Sequence, residues 1–135
     1  METRTLHEDI NIIYIQADSF PDGIDAVWQK IFTILPDVDK RITYVGYSAM
    51  QTDGSITYRV GTPLLASDDA SKFTTMVIPK GVYISRRIEN YMDHRDEFGN
   101  IFQELLAMDK ADKTGCCIEW YESETVAHCM VPSIS

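Results

Sequence analysis

The chain has 135 residues, 44% of them hydrophobic and 24% charged, with a net charge of −9. That length fits one domain able to bury roughly two thirds of its unfolded surface, so a core needs no metal or disulfide. The charge excludes direct nucleic-acid binding, which rests on Lys and Arg neutralising phosphates. No apolar run approaches the ~18 residues of a membrane span, so the expected location is the cytoplasm.

Residues 1–9 are polar, lack a periodic apolar pattern and are expected as a disordered lead-in to a single domain over residues 10–134. The run 10–15 is rich in β-formers and reads as a strand. Ser19 then offers a helix cap, with Pro21 and Asp22 suiting the first turn. Ile24, Val27, Trp28, Ile31, Phe32 and Leu35 form one amphipathic stripe that stops at Pro36. Trp28 therefore reads as core.

Residues 41–51 alternate as a strand, Asp53-Gly54 is a turn signal, and 56–60 returns, giving a hairpin. The stretch 63–72, with Ser67-Asp68-Asp69, looks like a surface connection. The order then repeats. Residues 73–78 form a strand, Pro79-Lys80-Gly81 a turn or bulge, and 82–88 a second extended run. That run places Val82, Ile84 and Arg86 on one face and Tyr83, Ser85 and Arg87 on the other. Asp93 offers a cap to a helix carrying Phe98, Ile101, Phe102, Leu105 and Leu106. A shift of 74 residues lays Val27-Trp28 and Ile31-Phe32 over Ile101-Phe102 and Leu105-Leu106, and residues 42–50 over 116–124. A last strand is expected over 125–131.

The predicted fold is α+β: two pseudo-symmetric βαββ repeats, over about 10–66 and 73–134, forming one curved antiparallel sheet with two helices on one face. Strand 116–123 alternates Cys116, Ile118 and Trp120 against Cys117, Glu119 and Tyr121. A glutamate in mid-strand either lies on a wet face or awaits a partner. With Ile118 and Trp120 under the helices, Glu119 is expected to look into the open concave face near the join of the repeats.

The segments Ser19-Phe20-Pro21-Asp22-Gly23-Ile24, Tyr44-Val45-Gly46-Tyr47-Ser48, Ile78-Pro79-Lys80-Gly81-Val82-Tyr83 and Cys117-Ile118-Glu119-Trp120-Tyr121 resemble, in order and spacing, the GyrI-like small-molecule-binding family. Its members include effector-binding domains of bacterial transcription activators and the stand-alone gyrase inhibitor. The likeness runs over 10–134. It implies paired repeats with a ligand cleft between them, in which Glu119 and Tyr121 match the glutamate and tyrosine that meet cationic aromatic ligands. Tyr83 matches the family's aromatic after the glycine. No helix-turn-helix is legible, so a free-standing binding domain is expected, with a regulatory role through its ligand.

The candidate ligand-binding residues are thus Glu119, Tyr121, Tyr83, Tyr44, Tyr58 and Arg87, with Tyr91 a further wall. A carboxylate in an apolar, aromatic cup attracts a cation by charge and by cation–π contact. Arg87, on the predicted face of Tyr83, is a candidate partner of Glu119 that would neutralise the cleft. Two other functions stay open. Glu119 could serve as the general base of a hydrolase of reactive small molecules, or the concave sheet could receive a protein partner. Cys117 reads as a packed thiol. The residues around His94 and His128 lack zinc-ligand spacing, and no phosphate loop or nucleophile elbow appears, so no metal or cofactor is expected.

Overall fold

A computed structural model describes residues 2–134. In chain order the elements are β1 (Glu2–Leu6), β2 (Ile10–Gln16), α1 (Ile24–Ile34), β3 (Tyr44–Met50), β4 (Ile56–Pro63), β5 (Thr75–Ile78), β6 (Gly81–Glu89), α2 (Phe98–Leu106), β7 (Cys117–Tyr121) and β8 (Val126–Pro132). The strands form one antiparallel sheet in the order β1-β6-β8-β7-β3-β4-β2-β5. From each edge to the central β7–β3 pair the order matches, so the expected α+β pair of βαββ repeats is present. Among the described residues no helix is long and apolar enough to cross a membrane.

The lead-in is a strand rather than a disordered tail, Met1 of it lying outside the described residues. β1 pairs with β6, while β5 pairs with β2. The strand ahead of the first repeat therefore borders the second, and the opening strand of the second half borders the first. β1 has the polar make-up of a sheet edge, which charged residues guard against further pairing. It is anchored by Leu6, packed into the core, and by the Arg4 guanidinium 5.7 Å from the centre of the Trp120 ring.

The helices form from the predicted stripes. α1 buries Val27 and Ile31 against β2 and β4, and α2 buries Phe98 and Leu105 against β6 and β8. Both start later than the sequence suggests. Ser19 and Pro21 belong to a turn, with a cis bond before Pro21, and Gly23 caps α1. Asp93 lies in one of two short 3₁₀ turns, Tyr91–Asp93 and Arg95–Glu97, that precede α2.

The helices flank the sheet and leave the β3–β7 join between them. The sheet curls the other way, so that Leu6 of one edge strand and Ile78 of the other join a single cluster with Val45, Ile118, Trp120 and Met130. Its concave face is thus filled by its own side chains. Ile118 and Trp120 are buried there, not under the helices, and the face expected to hold an open cleft has a packed core.

The connection 63–72 is not wholly at the surface either. The Asp68 carboxylate is 2% exposed and takes both ends of the Arg41 guanidinium, at 3.0 and 2.5 Å, plus the Leu65 N–H at 2.8 Å. Arg41, expected in a strand, leaves the sheet for this pair and also donates to the Pro36 carbonyl at 3.1 Å. The arginine bonds hold the Asp68 carboxyl below its usual range. Removing one partner strands the other charge in the interior, so Asp68→Asn is expected to cost about 3–5 kcal/mol in denaturant unfolding at neutral pH. Because the folded carboxyl releases its proton more readily than the unfolded one, the wild-type advantage is full above the ordinary carboxylate range. It declines as pH falls through the folded value. The pair Arg41→Met with Asp68→Leu should recover much of the loss, and a cost no smaller than that of Asp68→Asn alone would contradict a charge-stranding origin.

Candidate functional site

The β3–β7 register sets Tyr44, Gly46 and Ser48 beside Tyr121, Glu119 and Cys117. Alternation aims this row at the helix side, and it surfaces where neither helix covers it. Tyr58, two strands from Glu119 across β3, joins from β4. Its hydroxyl donates to Glu119 Oε1 at 3.1 Å, and the Tyr121 hydroxyl donates to the same oxygen at 2.5 Å. Trp28 of α1 completes the chain, its Nε1–H donating to the Tyr58 oxygen at 3.1 Å. The other carboxylate oxygen, Oε2, has no hydrogen-bond partner among the described residues.

Only a glycine lets the carboxylate sit there. A Cβ at position 46 would fall 2.6 Å from Glu119 Oε1 and 2.7 Å from the Tyr58 hydroxyl. Burial raises the proton affinity of Glu119, against the lowering effects of the Tyr121 and Tyr58 bonds and of the Arg95 charge. The same burial, followed by the charge of Glu119, pushes both phenols above their usual range, so they stay protonated donors.

In front of this network, between α1 and the 3₁₀ turns before α2, opens a groove of about 790 Å³. Trp28, Phe32, Tyr44, Tyr91 and Tyr121 line it. The rings touch in sequence: Tyr121 stands 5.4 Å from Trp28 and 5.1 Å from Tyr91, and Phe32 stands 5.1 Å from Tyr44. Glu119 and Tyr58 lie behind this wall, and Tyr121 is the residue that belongs to both wall and network. The buried Tyr44 hydroxyl has no hydrogen-bond partner. Asp39, Arg41, Arg95 and Glu124 are the charged residues of the lining. The arrangement offers flat apolar faces backed by an acid.

Of the residues singled out from sequence, Glu119, Tyr121, Tyr58, Tyr44 and Tyr91 meet around this groove. Tyr83 and Arg87 do not. They alternate with Ile84 and Ile88, which pack on the helix side, so they lie on the other face, Tyr83 in the concave core and Arg87 exposed. Tyr83 is 3% exposed, donates to the Pro79 carbonyl at 2.6 Å, and burial pushes its phenol up to about 12. Arg87 pairs with Glu89 at 3.5 Å and leaves Glu119 unneutralised. Strand alternation separates two faces without saying which one the helices cover, and that is where the expectation failed.

Glu122 meets His128 at 3.2 Å on the Trp120 side of β7–β8, while Glu124 stands in the groove lining. The Cys117 thiol is pushed up to about 11, chiefly by burial, which keeps it a protonated packed group. Trp28, read from the sequence as core, packs against the α1 core cluster and also lines the groove, as does Arg95, which was not a sequence candidate. Gly46 carried a usable signal, since a mid-strand glycine marks a close approach.

No protein-family model and no curated protein matches the chain. Solved structures do. SAV2435 bound to tetraphenylphosphonium aligns with a TM-score of 0.66 at 14% identity, over 98% of this chain and 92% of that one. An integron cassette protein from the mobile metagenome of Vibrio cholerae aligns at 0.64 with 12% identity, over 98% and 94%. A Staphylococcus aureus MU50 protein, given a provisional role in bacterial transcription regulation, aligns at 0.63 with 12% identity, over 99% and 97%. The likeness extends over both chains in each case, and the chain has the GyrI-like fold.

An acid that holds its proton more tightly when folded makes the folded state lose stability as pH rises from the ordinary carboxylate range to the folded value. Glu119→Gln is therefore expected to raise the Tm at neutral pH, with the gain shrinking as the solution is acidified. Identical pH profiles for the two proteins would remove the desolvated acid from the account. Gly46→Ala should cost about 1–3 kcal/mol through overpacking. That cost should fall in a Glu119→Ala background, where the clashing carboxylate is gone.

Proposed function

We propose that the groove is a receptor for a small aromatic molecule bearing a positive charge, with Glu119 as the acid that recognises the charge. The observation that carries this reading is a carboxylate with one oxygen unpartnered behind a wall of aromatic rings. Tyr121 joins the two: it donates to Glu119 while its ring lines the groove, so the carboxylate enriches the face that a cation would meet. Cation–π contact contributes about 0.5–2 kcal/mol per ring, more where water is displaced. The low-dielectric setting strengthens the attraction of the carboxylate behind it. Tetraphenylphosphonium, the ligand bound by SAV2435, is an aromatic cation of this kind and supports the reading through a shared fold. In this reading the protein acts as an effector-binding module with a regulatory output.

Isothermal titration with tetraphenylphosphonium provides the test. Wild type should bind, and Glu119→Gln should bind at least about tenfold more weakly, equivalent to ~1.4 kcal/mol. Trp28→Ala should weaken binding as well, by removing both a wall and the donor to Tyr58. The cation favours the ionised carboxylate, so affinity should increase with pH across the window above the ordinary carboxylate range and then level off. Equal affinity in wild type and Glu119→Gln at every pH would defeat the proposal.

A further inference from the structure

The two arginines of the groove differ in their bonding. Arg41 is spent on Asp68, which takes both ends of its guanidinium in a buried pair. Arg95 stands on the 3₁₀ turn before α2, exposed at the opening of the groove, and its guanidinium has no ion pair or hydrogen bond to any described residue. An exposed arginine needs no partner, and what marks Arg95 is that it lines the groove in front of an acid set deeper in the molecule. Its charge is felt in the network: it opposes the burial that raises Glu119 and does the same for Tyr58 and Tyr121. The rim acids Asp39 and Glu124 are exposed and bear on the groove from solvent, where salt screens them.

We propose that Arg95 sets the charge selectivity of the groove. Its guanidinium supplies, in the empty protein, the positive charge that a cationic ligand would bring. The same group offers a partner to a carboxylate or other anionic substituent. This rests on the receptor reading above and narrows it. A bare lipophilic cation has to work against Arg95. An aromatic zwitterion can set its positive centre over Tyr121, in front of Glu119, and its negative group on Arg95, gaining both contacts. The ligand class favoured by the geometry is therefore an aromatic ammonium or similar cation that carries an acidic group on the same molecule. Arg95 is held by a turn rather than by bonds of its own, so its side chain can follow the ligand.

Tetraphenylphosphonium and tetraphenylborate have nearly the same shape and opposite charge, so together they isolate the electrostatic effect. In Arg95→Gln, phosphonium affinity should increase by about 3- to 10-fold and borate affinity should fall by a similar factor. Arg95→Lys should restore wild-type behaviour for both ions. Raising the salt concentration should shrink the differences, as expected for an exposed charge. A merely structural role for Arg95 would shift both ions in the same direction. That result, or less than about a twofold change in either ion while wild type still binds phosphonium, would overturn the selectivity role and leave the receptor standing. No phosphonium binding to wild type or to Arg95→Gln would overturn the receptor reading and Arg95's role with it.

Discussion

A carboxylate set behind two phenols, in the strip of sheet that neither helix covers, is the constraint around which the molecule is arranged. An acid withdrawn from water is costly unless hydrogen bonds compensate. Tyr58 and Tyr121 supply two, and Trp28 orients Tyr58 in turn. The space comes from Gly46, where any side chain would collide with the carboxylate. Four elements thus contribute to a single small network: α1, β3, β4 and β7. Both phenols serve one oxygen, and the other is not among the fully buried unpartnered atoms.

The division of labour between the faces follows from curvature. The concave side is closed by apolar side chains from all parts of the sheet, and it gives the two repeats a common core. The convex side is covered piecewise, by α1 over one repeat and α2 over the other. The pseudo-symmetric construction therefore generates the groove: two helices related by the repeat stand apart over the central strand pair. The symmetry is broken where chemistry requires it. The first repeat contributes Trp28, Tyr44, Gly46 and Tyr58, and the second contributes the acid, Tyr121 and the turns that carry Tyr91 and Arg95.

Much of this was legible in the chain. The helical stripes, the Asp53-Gly54 hairpin and the repeat at a shift of 74 residues depend on local periodicity, and all three correspond to observed elements. Glu119 stood out because a mid-strand acid between apolar neighbours requires an explanation, and Tyr121 follows it at strand period. What failed was information that no local pattern contains. Alternation could not say which face the helices would cover, so Tyr83 and Arg87 were grouped with the wrong partners. β1 looked disordered because an edge strand is polar for reasons of solubility. Asp68 reads as a surface residue because its partner, Arg41, lies well away along the chain.

The crossed edge strands bear on how the protein is made. During synthesis, β2 emerges early but its outer neighbour β5 arrives only with the second half, and β1 must wait for β6. The first half-sheet is complete only once β5 has followed β4, and β1 has no partner until β6 is made, so long-range pairing shapes assembly. A nascent first half carries an open strand edge that invites pairing with other chains. The finished molecule gains in return a mechanical lock, because pulling the halves apart means peeling off a strand at each margin as well as separating the seam.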